Sequence, residues 1–226
     1  MIVKDDSSRL LVGGKKALLI NPPVYDTQYW AYWSQPHGLL KIASWLRTKG
    51  YTDIRLIDCL ATDEKRQVRH RLIGKVQRGN VTKILRAFGM SLNDLSSHLK
   101  EHANGASFRP DEIWITSIMT YWWQSTRDVI KLIEDVFGSP PPRILVGGIY
   151  PTLYPEHANT NLRLGTNLND EDLIIVDGEI EPDAANAWTD LTLYQDPIYS
   201  TRPRYAIITG SRGCPFECAY CAQLKL

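Results

Sequence analysis

A chain of 226 residues with 26 Lys+Arg against 25 Asp+Glu and 43% hydrophobic residues has a globular composition, which excludes a wholly disordered or collagen-like polymer. A formal charge of +1 gives no overall pull toward nucleic acid or an acidic membrane surface, and no apolar run approaches the ~18 residues needed to span a bilayer. Met1 to Arg9 carries Asp5, Asp6 and two serines where a secretory signal needs an apolar core, and four cysteines are too few for a disulfide scaffold in so long a chain, so a reducing, cytoplasmic setting is expected.

Residues 17–20 predict a strand, closed by Asn21-Pro22-Pro23, where proline removes N–H donors and fixes φ. From 38 to 50, Leu39, Ile42, Ala43 and Leu46 recur at helical spacing, and Gly50 is a C-terminal stop. Residues 54–57 predict a second strand ending at Asp58, and 112–117 a third. Residues 125–137 predict a helix with Val129, Ile133 and Val136 on one face, stopped by Gly138 and three prolines. Residues 143–146 predict a fourth strand running into Gly147-Gly148, and 173–176 a fifth followed by Asp177-Gly178-Glu179. Strand and helix alternating in this way predict an α/β fold: an open, doubly wound, flavodoxin- or Rossmann-like parallel sheet with helices on both faces.

Residues 62–108 interrupt the alternation and are expected as a helical insertion. Ser91-Leu92-Asn93-Asp94 has the form of a capping box, with Leu92, Leu95 and Leu99 on one side of the helix it opens. Lys65 to Arg86 holds eight Lys/Arg and no acid, which reads as the solvated face of one or two helices. The sharper alternative is a positive patch facing a phosphate-bearing ligand or nucleic acid. Phe, Tyr and Trp are absent from this stretch, which speaks against nucleic acid. Residues 182–204 predict a linker and 205–209 a new strand, which divides the chain into a domain over 1–181, the linker, and a second unit starting at 205.

Cys214, Cys218 and Cys221 form C-x3-C-x2-C. Three thiolates on so short a loop wrap one soft metal centre but leave it a ligand short. A structural zinc site wants a fourth Cys or His nearby; none follows in the five remaining residues, and the nearest preceding histidine is His157. Cys59, directly after a predicted strand, reads as a half-buried inert thiol. A 4Fe–4S cluster held by three cysteines keeps one iron open to chelate a small molecule, whereas an electron-transfer or zinc module uses the same thiols without that chemistry.

The spacing, with Tyr220 immediately before the last cysteine, resembles the cluster loop of radical S-adenosylmethionine enzymes. Residues 205–209 and the run Ser211-Arg212-Gly213-Cys214-Pro215-Phe216 are similar to that superfamily's first barrel strand and its loop. The resemblance implies a 4Fe–4S cluster on Cys214, Cys218 and Cys221, S-adenosylmethionine on the open iron, and Tyr220 against the adenine. It also implies an electron donor such as flavodoxin or ferredoxin, and reductive cleavage to a 5′-deoxyadenosyl radical or radical methyl transfer on an unknown substrate.

The first ~200 residues resemble the cobalamin-binding-type domain of one branch of these enzymes. The likeness rests on Asn21-Pro22-Pro23, Pro36-His37-Gly38-Leu39, Ile57-Asp58, Val146-Gly147-Gly148 with Pro151, and Asp177-Gly178-Glu179. Met119-Thr120-Tyr121-Trp122-Trp123 and Tyr154-Pro155-Glu156-His157-Ala158 are similar to a subgroup of that branch. A corrinoid is the ligand this implies, with Asn21, Thr120, Gly147 and Gly148 as candidate contacts beyond the carboxyl ends of the strands. The aromatic clusters Tyr29-Trp30, Tyr32-Trp33 and Tyr121-Trp122-Trp123 are expected either to line a flat macrocycle or to seal the domain against a barrel. No D-x-H-x-x-G motif is present, so His37 and His157 are the candidates for an axial ligand, and no catalytic side chain is named. Cys221 stands five residues from the end, and a barrel needs roughly 100–200 further residues. The expectation is therefore a truncated or split protein whose barrel a second chain completes, or a fragment that binds corrinoid or a partner without turnover.

Overall fold

The computed structural model describes residues 14–28, 35–62, 67–105, 108–210, 214–216, 218, 219 and 221. The chain runs through β1 (Lys15–Asn21), β2 (Val24–Asp26), α1 (His37–Thr48), β3 (Tyr51–Asp58), β4 (His70–Arg78), β5 (Val81–Phe88) and α2 (Leu92–Asn104). It continues through β6 (Glu112–Thr116), α3 (Trp123–Phe137), β7 (Arg143–Gly147), α4 (Ile149–Leu153), α5 (Pro155–Leu162), β8 (Leu173–Ile175) and α6 (Pro182–Asn186), and then a 3-10 turn at Leu191–Gln195. Five strands form one sheet in the order β3-β1-β6-β7-β8, parallel at every pairing. Counting only these five, the order is second-first-third-fourth-fifth, the flavodoxin-like arrangement. All five parallel strands and the long helices fall where the hydrophobic pattern predicts them.

The period of two along each strand sorts the core onto two faces. Leu18, Ile20, Ile113, Ile115, Ile144 and Val146 face α2 and α3, meeting Leu95, Leu99, Val129, Ile130 and Ile133. Ala17, Leu19, Trp114 and Leu145 face α1, meeting Leu39, Leu40, Ala43 and Leu46. Because β1 is central, residues 17–21 are buried throughout, as a strand covered on both sides requires. At the amino ends of the strands, Glu112 is 4% exposed and accepts from Tyr51 Oη at 2.6 Å and Trp114 Nε1 at 3.1 Å. Arg143 pairs with the same carboxylate.

Residues 62–108 differ from the helical insertion expected. The basic stretch forms an antiparallel ribbon, β4 on β5, with β2 on the outer side of β5. Gly79-Asn80 makes the two-residue turn between paired Arg78 and Val81, and Gly79 takes φ +57. That turn chemistry, together with Val76, Val81, Thr82 and Ile84, favours strands over helix. The capping box is as expected: Ser91 Oγ accepts from Asp94 N at 3.1 Å and opens α2. Lys65 and Arg66 lie outside the described residues.

Residues 182–204, expected as a linker, pack on the sheet domain. They carry α6 and the 3-10 turn, and Leu193 and Tyr194 belong to the α1-side core. Residues 205–209, expected as a strand, form none. A strand exists by pairing, and among the described residues nothing pairs with this segment; Ile208 is 74% exposed. Among the described residues no helix is long and apolar enough to cross a membrane.

Candidate functional site

Ligands of an open parallel sheet bind beyond the carboxyl ends of the strands, at the point where strand order reverses. In this sheet that point lies between β1 and β6, and it is filled. Pro22, Pro23, Val24 and Trp122 close it to a void of about 10 Å³. Trp122 is 8% exposed and its Nε1 donates to Asp26 Oδ2 at 3.0 Å, so β2 and the start of α3 are stapled over the reversal point.

Room for a ligand opens one strand further along. A cavity of about 440 Å³ lies beyond β6, β7 and β8, against the N-terminal turn of α1 and α6. Its walls include Leu39, Ile42, Trp114 and Val176, and its rim carries Lys41, Glu179 and Glu181. Lys41 Nζ donates to the Ala185 carbonyl at 2.7 Å. Glu181 Oε2 accepts from Lys49 Nζ at 2.8 Å and Trp45 Nε1 at 3.3 Å, and the bond from Lys49 holds its carboxyl below the usual range. Size and mixed lining suit an organic ligand with a few fixed polar contacts.

Gly147 and Gly148 both line this cavity, but for different reasons. A Cβ on Gly148 would stand 2.6 Å from the Ser117 carbonyl oxygen, and its φ is +110. The backbone itself therefore needs that glycine. A Cβ on Gly147 would meet nothing nearer than Val176 at 3.7 Å, so its small size leaves open space at the cavity wall. Asn21 is not at the cavity: it is 3% exposed and donates from Nδ2 to Asp58 Oδ1 at 2.7 Å. Its role is to tie the ends of β1 and β3 together. Thr120 sits half-buried in the turn after β6 and does not line the cavity.

The aromatic run divides. Trp122 fills the reversal point, Trp123 packs on His157 at 5.8 Å between ring centroids, and Tyr121 is 54% exposed. Tyr29, Trp30, Tyr32 and Trp33 lie outside the described residues. Neither candidate axial histidine lines the cavity. His37 Nε2 lies 3.1 Å from Thr209 Oγ1, and His157 Nδ1 lies 2.7 Å from the hydroxyl of Tyr150.

Sequence reasoning did not find a buried hydrogen-bond hub at the end of β3. Asp58, 2% exposed, accepts from Asn21, from Leu60 N at 3.1 Å and from Tyr194 Oη at 2.7 Å. Tyr199 Oη accepts from Asp58 N at 2.9 Å and donates to the Leu56 carbonyl at 2.7 Å. Burial, and then the charge of Asp58, pushes both phenols far up. The hub draws residues 191–199 across the edge of the sheet. No local signal marks it, because Tyr194 stands 136 positions from Asp58.

Beyond the hub the chain continues over the carboxyl ends of the strands. Gln35 Nε2 donates to the Tyr205 carbonyl, and His37 meets Thr209, so the segment leading to the cysteines is tethered at the start of α1. Cys214 follows Thr209 by five positions, a reach of at most about 18 Å. Cys214 and Cys221 are exposed, Cys218 is half-buried, and all three are free thiols. The Cys221 amide donates to the Cys218 carbonyl at 2.9 Å, turning the chain between them. Among the described residues no three ligating groups converge. The soft, three-thiol donor set suits an iron–sulfur cluster with one open iron. Arg212, Gly213 and Tyr220 lie outside the described residues. Cys59, in contrast, is 2% exposed, and burial pushes its thiol well up, keeping it neutral and inert. Compared with models of protein families and with curated proteins, the chain matches none.

Proposed function

We propose that this chain is a radical S-adenosylmethionine-type iron–sulfur protein with an N-terminal corrinoid-binding-type domain, in which Cys214, Cys218 and Cys221 hold a 4Fe–4S cluster. The observation that carries this is the C-x3-C-x2-C set of three free thiols, leashed to the carboxyl edge of a flavodoxin-order sheet by Gln35 and His37. The 440 Å³ cavity opens at the same N-terminal turn of α1, through Gly38 and Leu39. Cavity and cysteine leash therefore share one helix terminus, which is where a domain presenting a second ligand to a cluster needs them.

When bound, the cluster would supply one-electron chemistry to a sulfonium at its open iron. The chain's own part is placement. Three thiolates fix the cluster, the tethers on α1 limit how far the loop strays, and Trp114 with Leu39 and Val176 offers an apolar wall to a corrin face. Lys41 and Glu181 stand at the cavity's rim. The exposure of Tyr205 (51%) and Ile208 (74%) favours the form in which further barrel strands, on a second chain or supplied otherwise, pair with residues 205–209 and complete the substrate site.

The test is anaerobic reconstitution with iron and sulfide, followed by S-adenosylmethionine and a chemical reductant. The expected result is about four irons per chain, loss of the visible chromophore in each of C214S, C218S and C221S, its retention in C59S, and release of 5′-deoxyadenosine. Stoichiometric zinc binding without an iron chromophore would overturn the proposal in favour of a structural metal module.

A further inference from the structure

A second cavity, of about 460 Å³, opens on the opposite face of the sheet. It lies between the base of the β4–β5 ribbon, the first turns of α2 and residues 198–200. From this geometry we infer that it binds a phosphate ester of a small polyol, a sugar phosphate or a nucleotide. The inference does not depend on the cysteine chemistry.

The ribbon base supplies the phosphate contacts. Arg69, immediately before β4, and Arg71, within it, both line the cavity. Arg71 stands across the ladder from Ala87, which in turn faces Tyr25, and Tyr25 donates to Asp128 of α3 at 3.0 Å. The Arg71 side of the ribbon is therefore the one toward α2 and α3. Gly89 N donates to the Arg69 carbonyl at 2.6 Å, and Met90 N to the Cys59 carbonyl at 2.7 Å, which pins the ribbon base to the end of β3. Among the described residues neither guanidinium has an ion-pair partner, whereas Arg47, Lys49, Arg143 and Arg163 all have one. Two guanidinia lining one cavity match the planar, two-pronged geometry of a phosphate. The ribbon side is basic, since residues 67–90 carry six Lys/Arg and no acid, while Asp58 and Asp94 line the cavity elsewhere.

The facing wall has different chemistry. Ser91, Asp94, Ser97 and His98 come from α2. Asp94 binds Ser91 Oγ through Oδ2 at 2.8 Å, and His98 lies 3.7 Å from Glu101. Ser97 Oγ donates to the Asn93 carbonyl at 3.2 Å and keeps its lone pairs. A carboxylate and a hydroxyl opposite two guanidinia would repel a bare phosphate, but they accept hydrogen bonds from hydroxyl groups. At the floor the buried Asp58 carboxylate accepts from three donors, and Cys59 is a neutral thiol. The cavity thus asks for an anion at one end and hydroxyls at the other, in a volume too large for inorganic phosphate and within the range of small-ligand sites.

The experiment is titration calorimetry of the full chain with ribose 5-phosphate, adenosine 5′-monophosphate, inorganic phosphate and adenosine. At least one ester is expected to bind ten or more times more tightly than inorganic phosphate or adenosine. Tighter binding of the nucleotide assigns the site to nucleotides, and equal binding of both esters assigns it to sugar phosphates. The R69Q/R71Q pair should weaken the ester about 100-fold, roughly tenfold for each charge-assisted hydrogen bond removed. D94N should weaken it several-fold with a fall in Tm of no more than about 4 °C, since Ser91 still caps α2. The single variant R69Q, on an exposed side chain, supplies the same test should the double variant fold poorly. C214S should bind the ester as the native chain does, which separates this site from the cluster. Esters binding no better than inorganic phosphate, or binding unchanged in R69Q/R71Q, would overturn the inference and leave an adventitious anion only.

Discussion

Tyr194→Phe removes one oxygen and leaves the ring, and it isolates the interaction that docks residues 191–199 onto the sheet. The bond it deletes is a 2.7 Å hydroxyl-to-carboxylate hydrogen bond between side chains 1% and 2% exposed. Hydrogen bonds to a charged group contribute about 1.5–3 kcal/mol. Asp58 keeps its bonds from Asn21 and Leu60, so the loss should fall near 2 kcal/mol, short of the 3–5 kcal/mol typical of a carboxylate stripped of its partner. In a domain of this size that corresponds to a fall of about 4–8 °C in Tm. The assay is urea unfolding followed by tryptophan fluorescence, with amide exchange over residues 191–210. Exchange there should quicken before the sheet strands are affected. Introducing the change into Asp58→Asn should cost at least 1 kcal/mol less, because the charge it acts on is gone. A cost within 0.5 kcal/mol of zero, or the same cost in both backgrounds, would refute the assignment of Asp58 as the docking hub.

Alkali should act through the tyrosines. Burial and then a neighbouring carboxylate raise Tyr25, Tyr51, Tyr194 and Tyr199 far above the ordinary phenol value of 10.0, and burial alone puts Tyr150 at about 12. Above pH 10 the unfolded chain sheds phenolic protons that the folded chain retains, so stability is flat with respect to these groups below pH ~10 and falls above it. Ultraviolet titration should show these five of the eleven tyrosines ionising only near pH 12 or on unfolding. A thiol reagent should modify Cys214, Cys218 and Cys221 quickly and Cys59 only after denaturation, counted by mass; fast modification of all four would contradict the burial of Cys59. Gly148→Ala should cost more than about 2 kcal/mol, combining left-handed strain with a clash at 2.6 Å. Gly147→Ala, with 3.7 Å to its nearest neighbour, should stay within about 1 kcal/mol in thermal melts while narrowing the mouth of the 440 Å³ cavity.

The sheet is legible in the sequence because apolar runs such as residues 17–20 and 143–146 have no other use in a chain of this composition, and the helices between them carry clear stops. The ribbon is legible too, but its charge density masks it: Gly79-Asn80 between runs rich in Val, Ile and Thr is the stronger, local signal, and it points to a hairpin where the charges suggest helices. Val24–Asp26 is too short to announce itself, and it exists as a strand only because β5 lies beside it. At the site, a glycine pair can be read from sequence, but not that Gly148 answers to Ser117 while Gly147 faces open space. Asn21 stands at the strand end the pattern predicts, but its bond to Asp58, 37 positions away, has no local signal. The 440 Å³ cavity and the Asp58 hub depend on α6 and residues 191–199 returning to the sheet, a long-range event that no periodicity encodes.

The insertion of the ribbon and α2 ahead of β6 also sets an order of assembly. Asn21 reaches Asp58 across 37 positions, whereas Lys16 reaches Asp111 across 95. Closing the longer loop costs about 0.8 kcal/mol more chain entropy on the logarithmic scaling, and distant pairings of this kind slow folding. The unit β1–α1–β3 is thus placed to form early, leaving one edge of β1 unpaired until the ribbon and α2 have collapsed and delivered β6. During that interval the apolar row of residues 17–20 is an open strand edge. Newly made chains should be most prone to misassociate at this point, well before the cysteine loop has anything to dock against.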